Sequence, residues 1–175
     1  MLMHQGIGLD RFNALPERGA VHALFACCCS VTWARQVAAG RPYRAHTELL
    51  TAADTELFEL SEADIDRALE CHPGVARRAQ STASSLEQSA CWAPDEATMS
   101  AVIDATARYE ERFGHVYLWC AAGRDATELL GDLTHRLGNT PDTERKTMLG
   151  ELAKINRSRI QRMLGPEGGF AESGY

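Results

Sequence analysis

The sequence predicts an all-α fold, a single compact domain of about eight helices. Apolar residues recur at helical spacing along most of the chain, and the long alternating runs that mark strands are scarce. The length of 175 residues suits one ordinary core. A content of 45% hydrophobic and 24% charged side chains is that of a globular chain rather than a disordered one. No internal repeat or long linker divides it. Residues 1–175 are therefore read as one domain, with a core over about 9–164 and a frayed, glycine-rich tail over 165–175.

The elements follow in order. Pro16–Cys29 reads as a helix because Val21, Leu24, Phe25 and Cys28 share a face. Ser30–Ala39 continues the pattern until Gly40-Arg41-Pro42 breaks it. Thr47–Leu60 lines up Leu49, Leu50, Ala53, Leu57 and Leu60. Ser61 and Asp64 form a Ser-x-x-Asp start signal for a helix running to about Cys71. At His72-Pro73-Gly74 the proline pushes its predecessor out of the helical region and forces a turn. Residues 74–82 read as loop, Ser84–Cys91 as a short helix, and Pro94-Asp95-Glu96 as the opening of a long helix reaching Arg112. Val116–Cys120 is either a short extended segment or a buried link between helices. Asp125–Leu137 is helical and stops at Gly138-Asn139; Thr140 with Pro141 starts the last helix, which runs to Leu164.

Charge and composition exclude several functions. A net charge of −6, from 18 basic and 24 acidic side chains, disfavours nucleic acid as a partner. No apolar run is long enough to cross a membrane, and Met1–Asp10 lacks the basic start and apolar stretch of a signal peptide, so a cytoplasmic address is expected. The six cysteines, three of them consecutive at 27–29, show neither a disulfide framework nor paired zinc-ligand spacing. They read as reduced core thiols, with no metal.

Three places could carry chemistry. On the last helix Met148, Leu152, Ile155 and Met163 form one stripe with Arg159 in its middle, while Arg157 points the other way. A guanidinium on a core face needs an anion there, either a structural acid or the carboxylate or polar ring of a ligand. Ser84, Glu87 and Gln88 share one helix face. That face is either solvated or suited to a ligand rich in N–H and C=O groups. His72, at a rigid break between helices, is either incidental or a proton donor near neutral pH. No phosphate loop, nucleophile elbow or His-Glu-x-x-His motif occurs.

These same residues resemble the OHCU (2-oxo-4-hydroxy-4-carboxy-5-ureidoimidazoline) decarboxylases of urate degradation. The matching features stand in the family's order: Cys27-Cys28-Cys29-Ser30 with Trp33, Arg41-Pro42-Tyr43, His72-Pro73, and Ser84-Ser85-Leu86-Glu87-Gln88. Then come Phe113-Gly114 through Ala121, Arg136-Leu137-Gly138-Asn139 and Ile155-Asn156-Arg157-Ser158-Arg159-Ile160. Thr106 stands where many members carry asparagine, and Ser89, Ala90 and Cys91 replace common glycines. The resemblance implies a cofactor-free carboxy-lyase, commonly a homodimer, that converts the ureidoimidazoline to (S)-allantoin. It implies His72, Glu87 and Arg159 as catalytic residues. It places substrate binding on Pro73, on Ser84, Ser85, Leu86, Glu87 and Gln88, and on the backbone of Tyr117, Leu118, Trp119, Cys120 and Ala121. The alternative is a non-catalytic helical binding module in which Glu87 and Arg159 pair with each other.

Overall fold

The computed structural model describes residues 6–72, 95–120 and 124–166. These residues form eight helices and no strand: α1 (Leu9–Ala14), α2 (Glu17–Cys28), α3 (Val31–Ala39), α4 (His46–Phe58), α5 (Glu62–Glu70), α6 (Glu96–Phe113), α7 (Ala126–Arg136) and α8 (Pro141–Leu164). The all-α expectation holds. The sequence reading missed α1, which has one buried side chain, Phe12, and no side-chain cap. The short helix expected over 84–91 lies outside the described residues. The chain groups into two units, residues 1–71 with 153–175 and residues 72–152.

The first unit holds α1 to α5 and the end of α8. Phe12, Leu24, Trp33, Val37, Leu49, Leu57 and Ile65 are among its large buried side chains, each contributing roughly 1.5–3 kcal/mol by leaving water. Trp33 is fully buried and donates its indole N–H to the Ala53 carbonyl at 2.8 Å. Ser30 caps α3 through the Trp33 amide, and Ser61 caps α5 through the Asp64 amide as expected. The Gly40-Arg41-Pro42 break is held by Arg41, whose Nη1 donates to the Phe12 and Leu15 carbonyls at 3.0 and 2.7 Å. Asn13 exchanges two hydrogen bonds with the Tyr43 backbone. Arg41 and Tyr43 thus serve the fold at this turn.

At the other end of the unit, the Ile7 and Gly8 amides donate to the Met163 and Leu164 carbonyls, both at 2.8 Å. They satisfy acceptors that a helix end leaves open. Gly6 must be glycine here, because a Cβ would stand 2.1 Å from the Gly165 nitrogen.

In the second unit α6 starts on Asp95, whose carboxylate accepts the Thr98 amide at 2.8 Å. It ends on Gly114 at φ 73°, a left-handed turn that glycine makes without strain. α7 opens with a full capping box between Asp125 and Glu128, and Thr140 caps α8 through the Thr143 amide. α6 packs on α7. Val102, Ala105, Tyr109, Tyr117, Trp119, Leu129 and Leu133 form the core.

Candidate active site

The described residues expected at the site divide between the two units. His72, the first residue of the second unit, is 1% exposed. It directly follows Cys71, the C-cap of α5. Pro73, the whole stretch Ser84 to Gln88 (Glu87 included) and Ala121 lie outside the described residues.

Arg159 belongs to the first unit. The α8 stripe is oriented as its spacing predicts: Met148 and Leu152 are fully buried and Ile155 is 8% exposed. Arg159 itself is only half-buried, and its Nη1 donates to the Cys27 carbonyl at 3.0 Å. Cys27 lies in the last turn of α2, where carbonyls lack helical partners and a cation is favoured. The sequence reading asked for an anion; this carbonyl is a partner it did not foresee. Arg157 turns away as expected and pairs with Asp54, Nε to Oδ2 at 2.7 Å.

Beside Arg159, the three consecutive cysteines end α2. Burial pushes the Cys27 thiol up to about 11 and the Cys28 thiol up to about 12. Cys29 is raised to about 11 by burial and by the adjacent Cys71 thiol. It sits at φ 58°, a left-handed conformation that costs a side-chain-bearing residue about 1 kcal/mol or more. The five described cysteines are free thiols, but only Cys27 and Cys28 are buried; Cys71 is exposed. The reading of the cysteines as core thiols is corrected accordingly. α5 ends at Glu70, so Cys71 lies past the last helical turn. Asn156, 2% exposed, lies beside the Cys28 thiol, yet neither amide atom completes a hydrogen bond.

In the second unit Tyr117, Leu118 and Trp119 are 0%, 1% and 3% exposed, and Cys120 is half-buried. Val116–Cys120 lies in no helix or strand, and with its three central side chains buried it runs as a buried link between α6 and α7. Its backbone is tied by side chains: Arg136 Nη1 donates to the Leu118 carbonyl at 2.8 Å, and the Cys120 amide donates to Glu151 at 2.7 Å. Cys120 can therefore offer a ligand its carbonyl but not its N–H. The Trp119 indole N–H is buried without a hydrogen-bond partner.

Arg136 is the charge that sequence reasoning missed. It is 1% exposed. Its Nε and Nη2 both donate to Glu144 Oε1, at 2.8 and 2.5 Å, and its guanidinium lies 4.6 Å from the centre of the Tyr117 ring. Glu144, fully buried, also accepts from the Tyr109 hydroxyl and from Asn139 Nδ2. Burial is the largest single influence and works against the Arg136 charge, but hydrogen bonding to Glu144 together with electrostatic attraction to Tyr109, Glu144 and Tyr117 outweighs it and holds the group above its ordinary value. Burial, then the acceptor carboxylates Glu144 and Asp132, push the Tyr109 and Tyr117 hydroxyls up, so both stay protonated donors. The missed signal was present: Leu129, Leu133 and Arg136 stand at i, i+4 and i+7, the same spacing that flagged Arg159. His115, which had no evident companion, packs edge-on to Tyr109 at 5.6 Å, and its pKa is lowered by burial. Thr106 bonds back to the Val102 carbonyl at 2.7 Å within α6.

Among the described residues no three His, Cys, Asp or Glu side chains gather as metal ligands would. No described helix is long and apolar enough to cross a membrane.

Known proteins resemble this chain over most of its length. It is 32% identical over 141 residues to the 2-oxo-4-hydroxy-4-carboxy-5-ureidoimidazoline decarboxylase of Amia calva, an alignment covering 75% of this chain and 79% of that protein. It is 26% identical over 145 residues to the uric acid degradation bifunctional protein TTL of Arabidopsis thaliana, covering 78% of this chain but only 45% of that longer protein. A crystal structure of OHCU decarboxylase in the presence of (S)-allantoin superposes with a TM-score of 0.67 at 24% identity, over 80% of this chain and 95% of that one, a likeness of fold. The OHCU decarboxylase family model matches residues 13–161, a span that takes in His72, Arg136 and Arg159 alike, and the chain belongs to that family.

Proposed function

We propose that the chain decarboxylates 2-oxo-4-hydroxy-4-carboxy-5-ureidoimidazoline to (S)-allantoin without a cofactor. The family match over residues 13–161 carries this reading. That match runs through both units, which supports treating 1–175 as one domain with its core over 9–164. A homodimer and a cytoplasmic location belong to the same proposal, and light scattering on the purified protein tests the first.

The chemistry follows from the substrate. Loss of CO₂ from C4 turns its electron pair into a C4–C5 double bond, the adjoining ring C=N takes up the charge, and the C4 hydroxyl is left as an enol. Rate comes from stabilising that charge and delivering a proton to one face. Arg159 and backbone groups of Tyr117 to Ala121 hold the ring oxygens. Glu87 binds the hydroxyl or ureido N–H groups and sets its charge against the leaving carboxylate, with Ser84, Ser85, Leu86, Gln88 and Pro73 lining the substrate. His72 then protonates C5, the ureido-bearing carbon, on one face while the C4 enol hydroxyl gives up its proton and becomes the ring carbonyl, giving one enantiomer.

The test generates the unstable intermediate in situ from urate, with urate oxidase and the hydrolase that follows it, and reads allantoin by circular dichroism. Rapid appearance of a single enantiomer, lost in His72→Ala with helicity intact, is the expected result. A slow, racemic background rate with the wild-type protein would move the binding-module reading to the front.

A further inference from the structure

We propose that Glu151 is a positioning residue for the reaction: through the Cys120 amide it fixes the backbone of Leu118–Cys120 against the substrate. The inference rests on the decarboxylase reading, in which this segment faces the ring.

Residues 116–120 lie in no helix or strand, yet Tyr117, Leu118 and Trp119 are almost wholly buried. Buried backbone outside regular structure must find its hydrogen bonds among side chains. Among the described residues His115 Nδ1 meets the Val116 carbonyl at 3.2 Å, and the buried part of the segment is reached by ionisable groups on two different helices, Arg136 on α7 to the Leu118 carbonyl and Glu151 on α8 to the Cys120 amide. A neutral side chain could satisfy either group without the several kcal/mol that desolvating an ion costs. A charge-assisted bond is shorter and stiffer, so it sets the backbone more tightly.

Arg136 is already accounted for by its pairing with Glu144 and its place between two tyrosine rings. Glu151, 7% exposed, places a bond on the amide at the end of the segment. The two fixed groups flank Trp119, whose buried indole N–H has no hydrogen-bond partner. A buried donor left unmade costs about 1–3 kcal/mol, and here that cost falls on the same segment whose backbone is held at both sides. The geometry is that of backbone held in register for a second purpose.

Two conservative variants separate reach from charge. Glu151→Gln keeps an acceptor oxygen at the same distance and loses the charge. Glu151→Asp keeps the charge and withdraws it by one methylene, beyond hydrogen-bond range of the Cys120 amide. With the in situ substrate, the Asp variant should lose about tenfold or more in kcat with KM little changed, because misplacement near an ångström is costly to catalysis. The Gln variant should stay within about threefold of wild type, since it keeps the hydrogen bond at the cost of its charge assistance. In amide NMR spectra the Cys120 proton should stay downfield in the Gln variant and move upfield in the Asp variant. Gln as slow as Asp or slower, or both at the wild-type rate when folded, would overturn the proposal. A wild-type protein that does not accelerate the reaction would instead overturn the decarboxylase reading, and this inference with it.

Discussion

Arg136 and Arg159 lie on neighbouring helices in sequence, and both stand on apolar stripes, yet they occupy opposite circumstances. Arg136 is 1% exposed and bonds to Glu144, the Leu118 carbonyl and the Tyr109 hydroxyl, with two aromatic rings against it. Arg159 is half-buried at the end of α2, bonded to a backbone carbonyl. A guanidinium enclosed by its own protein has its charge neutralised within the fold and little left for a ligand. One that keeps part of its surface is the better candidate to hold a substrate oxygen. The difference separates a charge enclosed in the fold from one for which a substrate contact is proposed.

The strongest challenge to that contrast is to remove each in turn. Arg136→Met should destabilise the protein by roughly 3–5 kcal/mol in urea titrations, because Glu144 is left as an uncompensated buried charge. The double variant Arg136→Met, Glu144→Leu should recover much of that loss, and an unrecovered double would mean the network itself, not the orphaned charge, carries the stability. Arg159→Leu should leave the urea midpoint nearly in place and cost about a hundredfold in kcat/KM, the scale of a lost charge-assisted contact. A fully active Arg159→Leu would return the residue to a purely structural role. Arg157→Leu sharpens the comparison as a neighbour control. Its ion pair with Asp54 has a side chain 41% exposed, so its removal should change stability by at most about 1 kcal/mol and leave turnover alone.

The smallest effect concerns reactivity at the end of α2. At pH 8 the raised Cys27 and Cys28 thiols are far below half ionised, so iodoacetamide should label exposed Cys71 well before either. Mass spectrometry of the labelled peptides reads the order, and early labelling of Cys28 would mean that the α2 terminus opens in solution.

How legible this was in the sequence differed by region. Helices bounded by Gly, Pro or a capping Ser or Thr were readable because the boundary chemistry is local, as at Ser61 and Thr140. α1 was not, since six residues with only Phe12 buried carry no period and Gly8 offers no side-chain cap. The α8 stripe was read through its apolar members. Glu144 and Glu151 were passed over although they fall on that face with Met148 and Ile155, because an acid on a core face is decided by partners distant in sequence. Glu144 meets Tyr109 from α6 and Arg136 from α7, and nothing within its own helix announces them. His72 and Arg159 could be nominated from position and spacing. Their chemistry came from the resemblance, which named the substrate that spacing cannot.

Glu144 has one further consequence, for how such a chain can change over generations. Its carboxylate is shared by Tyr109, Arg136 and Asn139. Losing any one partner leaves another group stranded in the interior, so the path from this cluster to a plain apolar core runs through unstable intermediates. The four residues should therefore be inherited as a block while the surface around them drifts. Among distant descendants they would serve as a lineage marker, one that outlasts overall sequence likeness and needs no knowledge of the reaction to recognise.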